Sequence, residues 1–295
     1  MDQAKGLRDL AKNHRRTRSG TSMASNRLPR VIAVTSGKGG VGKTNIVGNL
    51  AVSMAGTGKR VVIIDADVGL ANVDILFNLR PEYNIRHVVS SEKRLEQVMV
   101  RSKHGVDIIP GGSGFADLTR LSEGEKLNLL SEFETLADKA DIILVDTGAG
   151  ISANVLYFNS AADECVVVAT AEPTSITDAY ALMKVMSQEY GTRYFKLIVN
   201  MVESQKDAKR VYASLSNALD KFLKNVVLEY LGCIPFDRQV QKAVQKRGLL
   251  MDHAPDSAAA LAMDRIGVSL EKSRRQNGGS LTFFMNKVFQ AGINN

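Results

Sequence analysis

The chain has 295 residues, of which 44% are hydrophobic and 23% are charged, and it contains two cysteines. This length and apolar fraction favour one α/β domain with appendages over two domains. No apolar run approaches the length of about 18 residues that a transmembrane helix needs. Cys165 and Cys233 stand far apart in apolar segments, which argues against a disulfide framework or a zinc site, so we expect reduced core cysteines in a cytosolic protein.

The formal net charge of +7 is concentrated at the N-terminus. Residues 1–30 hold eight Lys and Arg against two acids, whereas the rest of the chain holds 30 basic and 29 acidic side chains. A nearly neutral body gives no indication of a nucleic-acid surface. An organellar transit peptide is the alternative for the basic start, but Asp2 and Asp9 fit that class poorly.

The first chemical signal is a glycine-rich segment between a predicted strand, Val31–Val34, and a predicted helix over 45–54. The segment matches the phosphate-loop pattern G-x-x-x-x-G-K-[S/T]. Bare backbone N–H groups and a helix N-terminus both favour phosphate, so we expect a nucleoside triphosphate here. The predicted binding residues are Gly37, Gly39, Gly40, Val41, Gly42, Lys43 and Thr44. Lys43 is expected at the terminal phosphates, and the Thr44 hydroxyl at Mg²⁺.

The predicted strand 60–64 runs directly into Asp65, and the later predicted strand 141–146 ends at Asp146. Carboxyl ends of parallel strands face the nucleotide crevice, so Asp65 and Asp146 are predicted to support Mg²⁺ and Asp67 to orient the attacking water. For Asp65, a plain helix cap is the alternative. No Asn-Lys-x-Asp guanine reader occurs, which favours ATP.

The remaining segments complete a doubly wound, mostly parallel sheet flanked by helices. A hairpin-like pair is predicted at 98–100 and 106–109, and Ser122 with Glu125 forms a capping box for a helix through Asp138. Further strands are predicted at 163–170, 194–200 and 226–234, with helices from Glu172, at 237–246 and at 256–272. His87 and His104 carry no predicted role.

The loop also contains a second lysine, Lys38, and Lys38–Thr44 resembles the deviant Walker A motif of the MinD/ParA ATPase family. Asp65–Asn72 and Asp146–Gly150 resemble the switch segments of that family. The resemblance implies that Lys38 reaches across an ATP-sandwiched homodimer to the partner's phosphates, a catalytic role beside Lys43 and Asp67. It also implies that Asn200, Pro235 and Phe236 flank the base. The alternatives are a solvated loop lysine and an ordinary strand-end asparagine.

The N-terminus, residues 1–12, is predicted to be a short helix, and 13–29 a flexible basic linker. Residues 2–8 resemble the D-Q-A-x-x-L-R activator motif of the FlhG-like group within this family. The resemblance implies that the segment stimulates an FlhF-type GTPase through Asp2, Gln3, Leu7 and Arg8. A frayed terminus is the alternative, because ten residues rarely form a stable helix alone.

The C-terminus is predicted to be a linker, 274–280, followed by an amphipathic helix over 281–291. Its apolar stripe consists of Leu281, Phe284, Met285, Val288 and Phe289. Periodicity does not choose between docking on the body and binding a membrane surface. Resemblance to MinD-type targeting sequences favours membrane lipids, with two helices of an ATP-bound dimer acting together.

The motifs predict an ATPase body, 30–273. The resemblance implies that it acts as a Mg-ATP switch in flagellar number or placement, peripheral on the inner face of the cell membrane when bound to ATP. Flagellar switch, C-ring or regulatory proteins are possible further partners under the same resemblance. A ParA-like DNA-segregating ATPase is the alternative, and it needs basic residues on the dimer face. An iron–sulfur carrier of the same fold is disfavoured because no Cys-x-x-Cys occurs.

Overall fold

A computed structural model describes residues 28–67, 72–112, 121–273, 284–286 and 288. The predicted activator helix 1–12, most of the linker 13–29 and the linker 274–280 lie outside the described residues. So do Leu281 and Phe289 of the predicted tail stripe. Among the described residues, no helix is both long and apolar enough to cross a membrane.

An eight-stranded sheet forms the centre of the molecule, in the order β3-β4-β2-β5-β1-β6-β7-β8. The pairs are parallel except β3 with β4, so the predicted mostly parallel sheet is confirmed. The strands are β1 Arg30–Ser36, β2 Val61–Ala66, β3 Val100–Arg101, β4 Asp107–Ile109, β5 Ile142–Ala149, β6 Glu164–Ala169, β7 Tyr194–Val202 and β8 Val227–Pro235.

Helices cover both faces of the sheet, as expected for parallel strands joined by crossovers. One face is covered by α1, α10 and α11, and the other by α3 to α8. The helices are α1 Lys43–Gly56, α2 Val73–Leu76, α3 Ile85–Val89, α4 Leu95–Val98, α5 Glu123–Glu134, α6 Ala153–Ala161, α7 Pro173–Tyr190, α8 Gln205–Phe222, α9 Arg238–Gln245, α10 Leu250–His253 and α11 Ala258–Lys272.

Side chains alternate between the two faces along each central strand. In β1, Val31 and Ala33 join the core under α5 and α6, whereas Ile32 and Val34 join the core under α1 and α11. All four are at most 2% exposed. A strand buried on both faces must be apolar at every position, and this is why the central strands read as unbroken apolar runs.

Three predictions differ from the structure in detail. The first strand of the predicted hairpin is short, because Leu95–Val98 is helical and only Val100–Arg101 pairs with β4. The Ser122–Glu125 capping box is present, but α5 ends at Glu134 rather than Asp138. There the Thr135 hydroxyl donates to the Glu132 carbonyl at 2.6 Å, and the following N–H groups bond three residues back. Cys165 is buried as expected, whereas Cys233 is only partly buried.

The two histidines left without a predicted role have structural contacts. His87 Nδ1 accepts a hydrogen bond from the Asn84 backbone N–H at 3.2 Å, at the start of α3. His104 Nε2 lies 3.0 Å from a carboxylate oxygen of Asp252, which links the β3–β4 turn to α10. His87 therefore stabilises the start of α3, and His104 joins two segments that are distant in sequence.

A buried ion cluster lies at the amino-terminal ends of the strands, away from the predicted nucleotide loop. Lys196 Nζ is 2.7 Å from a Glu164 carboxylate oxygen, and both side chains are almost fully buried. Arg30 pairs with the same carboxylate, and Lys196 also donates to Ser273 Oγ at 2.5 Å. The cluster ties the start of β1 and the end of α11 to the sheet.

The described part of the C-terminal tail is docked on the body. Phe284, Met285 and Val288 are each at most 2% exposed and belong to the core under α5 and α6. The Phe284 ring packs against the Phe158 ring of α6, with centroids 6.2 Å apart. Of the two placements that the apolar stripe allows, the structure contains the intramolecular one.

Candidate nucleotide site

A cavity of about 990 Å³ opens at the carboxyl ends of the parallel strands. This edge is where open α/β sheets bind ligands, because the loops after the strands meet there. Most of the predicted nucleotide residues line the cavity together: Gly39, Gly40, Gly42, Lys43, Thr44, Asp67, Asn200, Pro235 and Phe236. The structure therefore brings together residues that lie up to about 200 positions apart in sequence.

The loop between β1 and α1 needs glycine at specific positions. Gly40 and Gly42 have φ values of 78° and 91°, in the left-handed region that favours glycine. Gly37 packs against α7 so closely that an added Cβ would lie 2.2 Å from the Asp178 carbonyl. Gly37 thus serves packing, and the backbone of Gly39, Gly40 and Gly42 faces the cavity.

Lys43 is the buried cation of the site. Its side chain is largely enclosed, and Nζ donates to Ser36 Oγ at 3.0 Å. Burial lowers the pKa of Lys43, while the charges of Asp146 and Asp67 act in the opposite direction. An ammonium held in a low-dielectric setting interacts more strongly with phosphate than a solvated one.

Two buried carboxylates lie beneath the cavity. Burial raises the pKa of Asp146 to about 7 and, with a contribution from the Asp146 charge, raises the pKa of Asp65 to about 8. The Thr44 hydroxyl hydrogen bonds to Asp146, whose Oδ1 has no hydrogen-bond partner in the described part of the chain. Asp65 also accepts from the Val73 N–H at 3.4 Å, so it serves partly as a helix cap.

This donor set fits Mg²⁺. A buried carboxylate oxygen without a donor, next to a threonine hydroxyl, is the arrangement expected where a hard cation completes its shell with water and phosphate oxygens. The described residues hold no cluster of three or more His, Cys, Asp or Glu able to bind a metal by themselves. Magnesium usually binds through one or two carboxylates plus phosphates, so Thr44, Asp65 and Asp146 are the candidates to hold it.

Asp67 belongs to the first switch segment and faces Gly148 of the second. Its backbone N–H donates to Asp65 Oδ1 at 3.3 Å, and its Oδ1 is 3.4 Å from the position that a Cβ on Gly148 would take. It lines the cavity, unlike the deeper Asp65 and Asp146. This position suits a carboxylate that contacts water at the mouth of the site.

Lys38 is placed differently from Lys43. Its Nζ donates to Glu172 at 2.6 Å and to Thr174 at 3.0 Å, at the start of α7. Its side chain is 39% exposed, and it does not line the cavity. Gly37 and Val41, both predicted to bind nucleotide, do not line the cavity either. Val41 contributes its carbonyl, which accepts from Asn200 Nδ2 at 2.8 Å, so Asn200 holds the loop.

Several cavity residues were not predicted from sequence. Asn45 follows Thr44, and its buried Oδ1 has no hydrogen-bond partner among the described residues. Its position directly after the phosphate-loop motif is the sequence signal that could have predicted it as a cavity residue. Met201 follows Asn200 and was missed because no motif includes it. The wall opposite the loop comes from α2 and α9, through Ile75, Leu76, Val240, Gln241, Val244 and Gln245.

The loop, the strand-end carboxylates and the sheet order together define a P-loop NTPase with two lysines in its phosphate loop. Residues 27–270 match the ParA family model, described as "NUBPL iron-transfer P-loop NTPase". The chain is 40% identical over 270 residues to the "Antiactivator FleN" of Pseudomonas aeruginosa, an alignment that covers 91% of this chain and 96% of FleN.

Two further comparisons agree. The "Flagellum site-determining protein YlxH" of Helicobacter pylori is 38% identical over 237 residues, 80% of each chain. A chain of the "MinC:MinD cell division protein complex" of Aquifex aeolicus superposes with a TM-score of 0.68 at 26% identity, covering 83% of this chain and 97% of that one. The chain therefore belongs to the ParA family of P-loop NTPases, as an FlhG-type ATPase of the MinD/ParA group.

Proposed function

We propose that the protein is an ATP-dependent switch that controls the number or placement of flagella. The observation that carries the proposal is one cavity lined by the phosphate loop, Lys43 and Asp67, with the buried carboxylates of Asp65 and Asp146 beneath it, in a chain whose Helicobacter pylori relative is named a flagellum site-determining protein. The near-neutral body argues against the DNA-segregating alternative.

In this proposal the loop backbone and Lys43 bind the phosphates. Thr44, Asp65 and Asp146 hold Mg²⁺, which when bound neutralises charge on the phosphate oxygens. Asp67, at the cavity wall beside Gly148, orients the attacking water. Asn200 and the turn at Pro235 and Phe236 surround the base. Asp65 and Asp146 lie deep and contact the cation, whereas Asp67 lies nearer the surface and contacts water.

The same proposal gives Lys38 a role between two subunits. Its amine is bonded to Glu172 and Lys38 does not line the cavity, so it does not serve the phosphates of its own subunit in this arrangement. The Lys38–Glu172 pair is exposed, and exposed pairs contribute at most about 1 kcal/mol. Breaking the Lys38–Glu172 pair therefore costs little free energy, and in the proposed ATP-bound homodimer Lys38 contacts the partner's phosphates instead.

Membrane association is the third part of the proposal. Phe284, Met285 and Val288 are three of the five apolar residues predicted to contact lipid, and all three are buried against the body. The same side chains cannot occupy both places. We therefore assign the docked tail to the state away from the membrane, and release of two tails in the ATP-bound dimer to the lipid-bound state, in which the two helices act with avidity.

The N-terminal segment supplies the fourth part. Residues 1–12, with Asp2, Gln3, Leu7 and Arg8, are proposed to stimulate an FlhF-type GTPase. A peptide of residues 1–20 is expected to accelerate GTP hydrolysis by such an enzyme, and Gln3→Ala to weaken the effect. The same assay with a scrambled peptide is the control, and equal rates with both peptides contradict this part alone.

The central test compares nucleotide binding, dimer formation and flagella in the same variants. Lys43→Ala is expected to abolish ATP binding, and Asp67→Ala to keep it and give a lasting dimer in light scattering. Lys59→Ala, an exposed lysine at the other end of α1, is the matched control. In the protein's own host, Lys43→Ala is expected to change the number of flagella per cell. Unchanged flagella together with lost ATP binding would count against the flagellar function.

A further inference from the structure

We propose that Met201 forms one wall of the slot that holds the purine base. The inference rests on the proposed adenine-nucleotide function and adds a residue that no motif includes. It follows from three observations on the described residues: a bulge in β7, a left-handed backbone at Met201, and a thioether exposed between two cavities.

The backbone at Met201 departs from the regular strand. Val199 pairs with Cys233 and Val202 pairs with Pro235, so two residues of β7 stand opposite one of β8. Such a bulge re-aims side chains, and bulges are over-represented beside active sites. Met201 has φ 56°, in the region that costs a side chain free energy. It is the only apolar residue among the described non-glycine residues with positive φ, the others being Asn78, Ser91, Asn225 and Arg247.

The side chains of the two bulge residues, Asn200 and Met201, point in different directions. Asn200 is buried and donates to the Val41 carbonyl of the phosphate loop at 2.8 Å. Met201 is 42% exposed, and its methyl group lies 3.6 Å from the position that a Cβ on Gly42 would occupy. The thioether therefore extends from the phosphate loop along the cavity wall. Phe236, at the end of the neighbouring strand, is 52% exposed in the same cavity.

Packing within the protein does not account for this arrangement. Met201 lines the nucleotide cavity and also a second cavity of about 350 Å³, whose other lining residues include Glu172, Glu203 and Asp207. An apolar side chain with open space on both sides gains little from its neighbours, yet it stands on an unfavourable backbone. Strain that local packing does not offset is typical of ligand sites. A polarizable thioether contacts flat aromatic rings favourably, and ligand pockets pair apolar walls with a few polar groups.

The test measures binding of ADP and of tripolyphosphate, which has no base, to the full chain. Met201→Ala keeps the strained backbone and removes the thioether, so ADP affinity is expected to fall by up to about tenfold, the upper end for a sulfur–aromatic contact. Met201→Leu retains apolar contact and is expected to stay within about threefold of wild type. Tripolyphosphate affinity is expected to be unchanged in both. Leu127→Ala, an exposed apolar residue on α5, is the control.

Met201→Gly separates a binding role from a structural one. Glycine accepts a left-handed φ, so the variant without nucleotide is expected to unfold at the same or a higher urea concentration, while its ADP affinity falls as in Met201→Ala. Wild-type ADP affinity in both variants would overturn the proposal. Parallel losses for ADP and tripolyphosphate would also overturn it, because Met201 would then act by holding Gly42. If wild type binds neither ligand, the proposed function itself fails.

Discussion

The docked tail makes a quantitative prediction for Phe158→Ala, a change in the groove that leaves the tail sequence intact. Burying Phe284, Met285 and Val288 contributes about 5–9 kcal/mol. Ordering the segment costs about 1–2 kcal/mol per residue, so over its four described residues docking is stable by only about 1 kcal/mol. Removing the Phe158 ring loses the contact at 6.2 Å and part of the buried area, together about 2 kcal/mol. That loss shifts docking by about thirtyfold.

The assay is flotation with anionic liposomes in the absence of nucleotide. Phe158→Ala is expected to raise the floating fraction, because the released tail still carries its apolar stripe. Phe284→Ala is expected to lower the floating fraction, because the Phe284 ring that packs in the groove is also a ring that contacts lipid. Deletion of 281–295 is expected to eliminate flotation in either background. If circular dichroism shows Phe158→Ala folded and its floating fraction equals that of wild type without nucleotide, the balance derived from the buried residues is wrong.

Three further outcomes follow from the site. Gly37→Ala is expected to lower the free energy of unfolding in urea by about 3 kcal/mol or more, because its Cβ would meet the Asp178 backbone at 2.2 Å. Gly39→Ala is the matched control, because a Cβ there would meet nothing within 4 Å. Its free energy of unfolding should lie within about 1 kcal/mol of the wild-type value. Glu172→Gln frees Lys38, so light scattering should detect the dimer at an ATP concentration up to about fivefold lower; an unchanged or higher midpoint would contradict this. Because burial raises the folded-state pKa of Asp65 to about 8, above its unfolded value, the protonated form is favoured in the fold. Asp65 should therefore lower stability without nucleotide or Mg²⁺ by about 2 kcal/mol from pH 6 to pH 8, measured in urea. Asp146, whose pKa is raised to about 7, acts in the same direction, so Asp65→Asn is expected to flatten the profile without abolishing the slope.

The sheet and the phosphate loop were predictable because their signals are local. An apolar run followed by a glycine-rich turn and a carboxylate specifies strand, loop and site within about ten residues. The Ser122–Glu125 cap was found for the same reason. The end of α5 was placed too late, because the bond from the Thr135 hydroxyl to the Glu132 carbonyl competes with the helix and leaves no trace in the apolar pattern.

The long-range contacts were not predictable in this way. Lys38 and Glu172 are 134 positions apart, and only the fold brings them within 2.6 Å. The loop predicted a lysine near phosphate, but nothing local indicated its partner. Met201 lies in an apolar strand, and a bulge at that point depends on the pairing between β7 and β8. For the tail, periodicity indicated an apolar face and could not identify what covers it.

Helix α6 is the element that the site and the docked tail share. It begins just after the turn that follows Asp146, and two consecutive residues of α6 face different parts of the molecule. Asn159 donates to Thr35 Oγ1 at 2.9 Å, directly before the phosphate loop, and Phe158 packs on Phe284. A displacement of α6 that breaks the first contact must also change the second, because neighbouring residues of a helix move together. The nucleotide dependence of flotation therefore tests this coupling as well as lipid affinity. In Phe158→Ala the tail is expected to be released even without nucleotide. If ATP raises the floating fraction of wild type but not that of Phe158→Ala, the site and the tail are linked through α6.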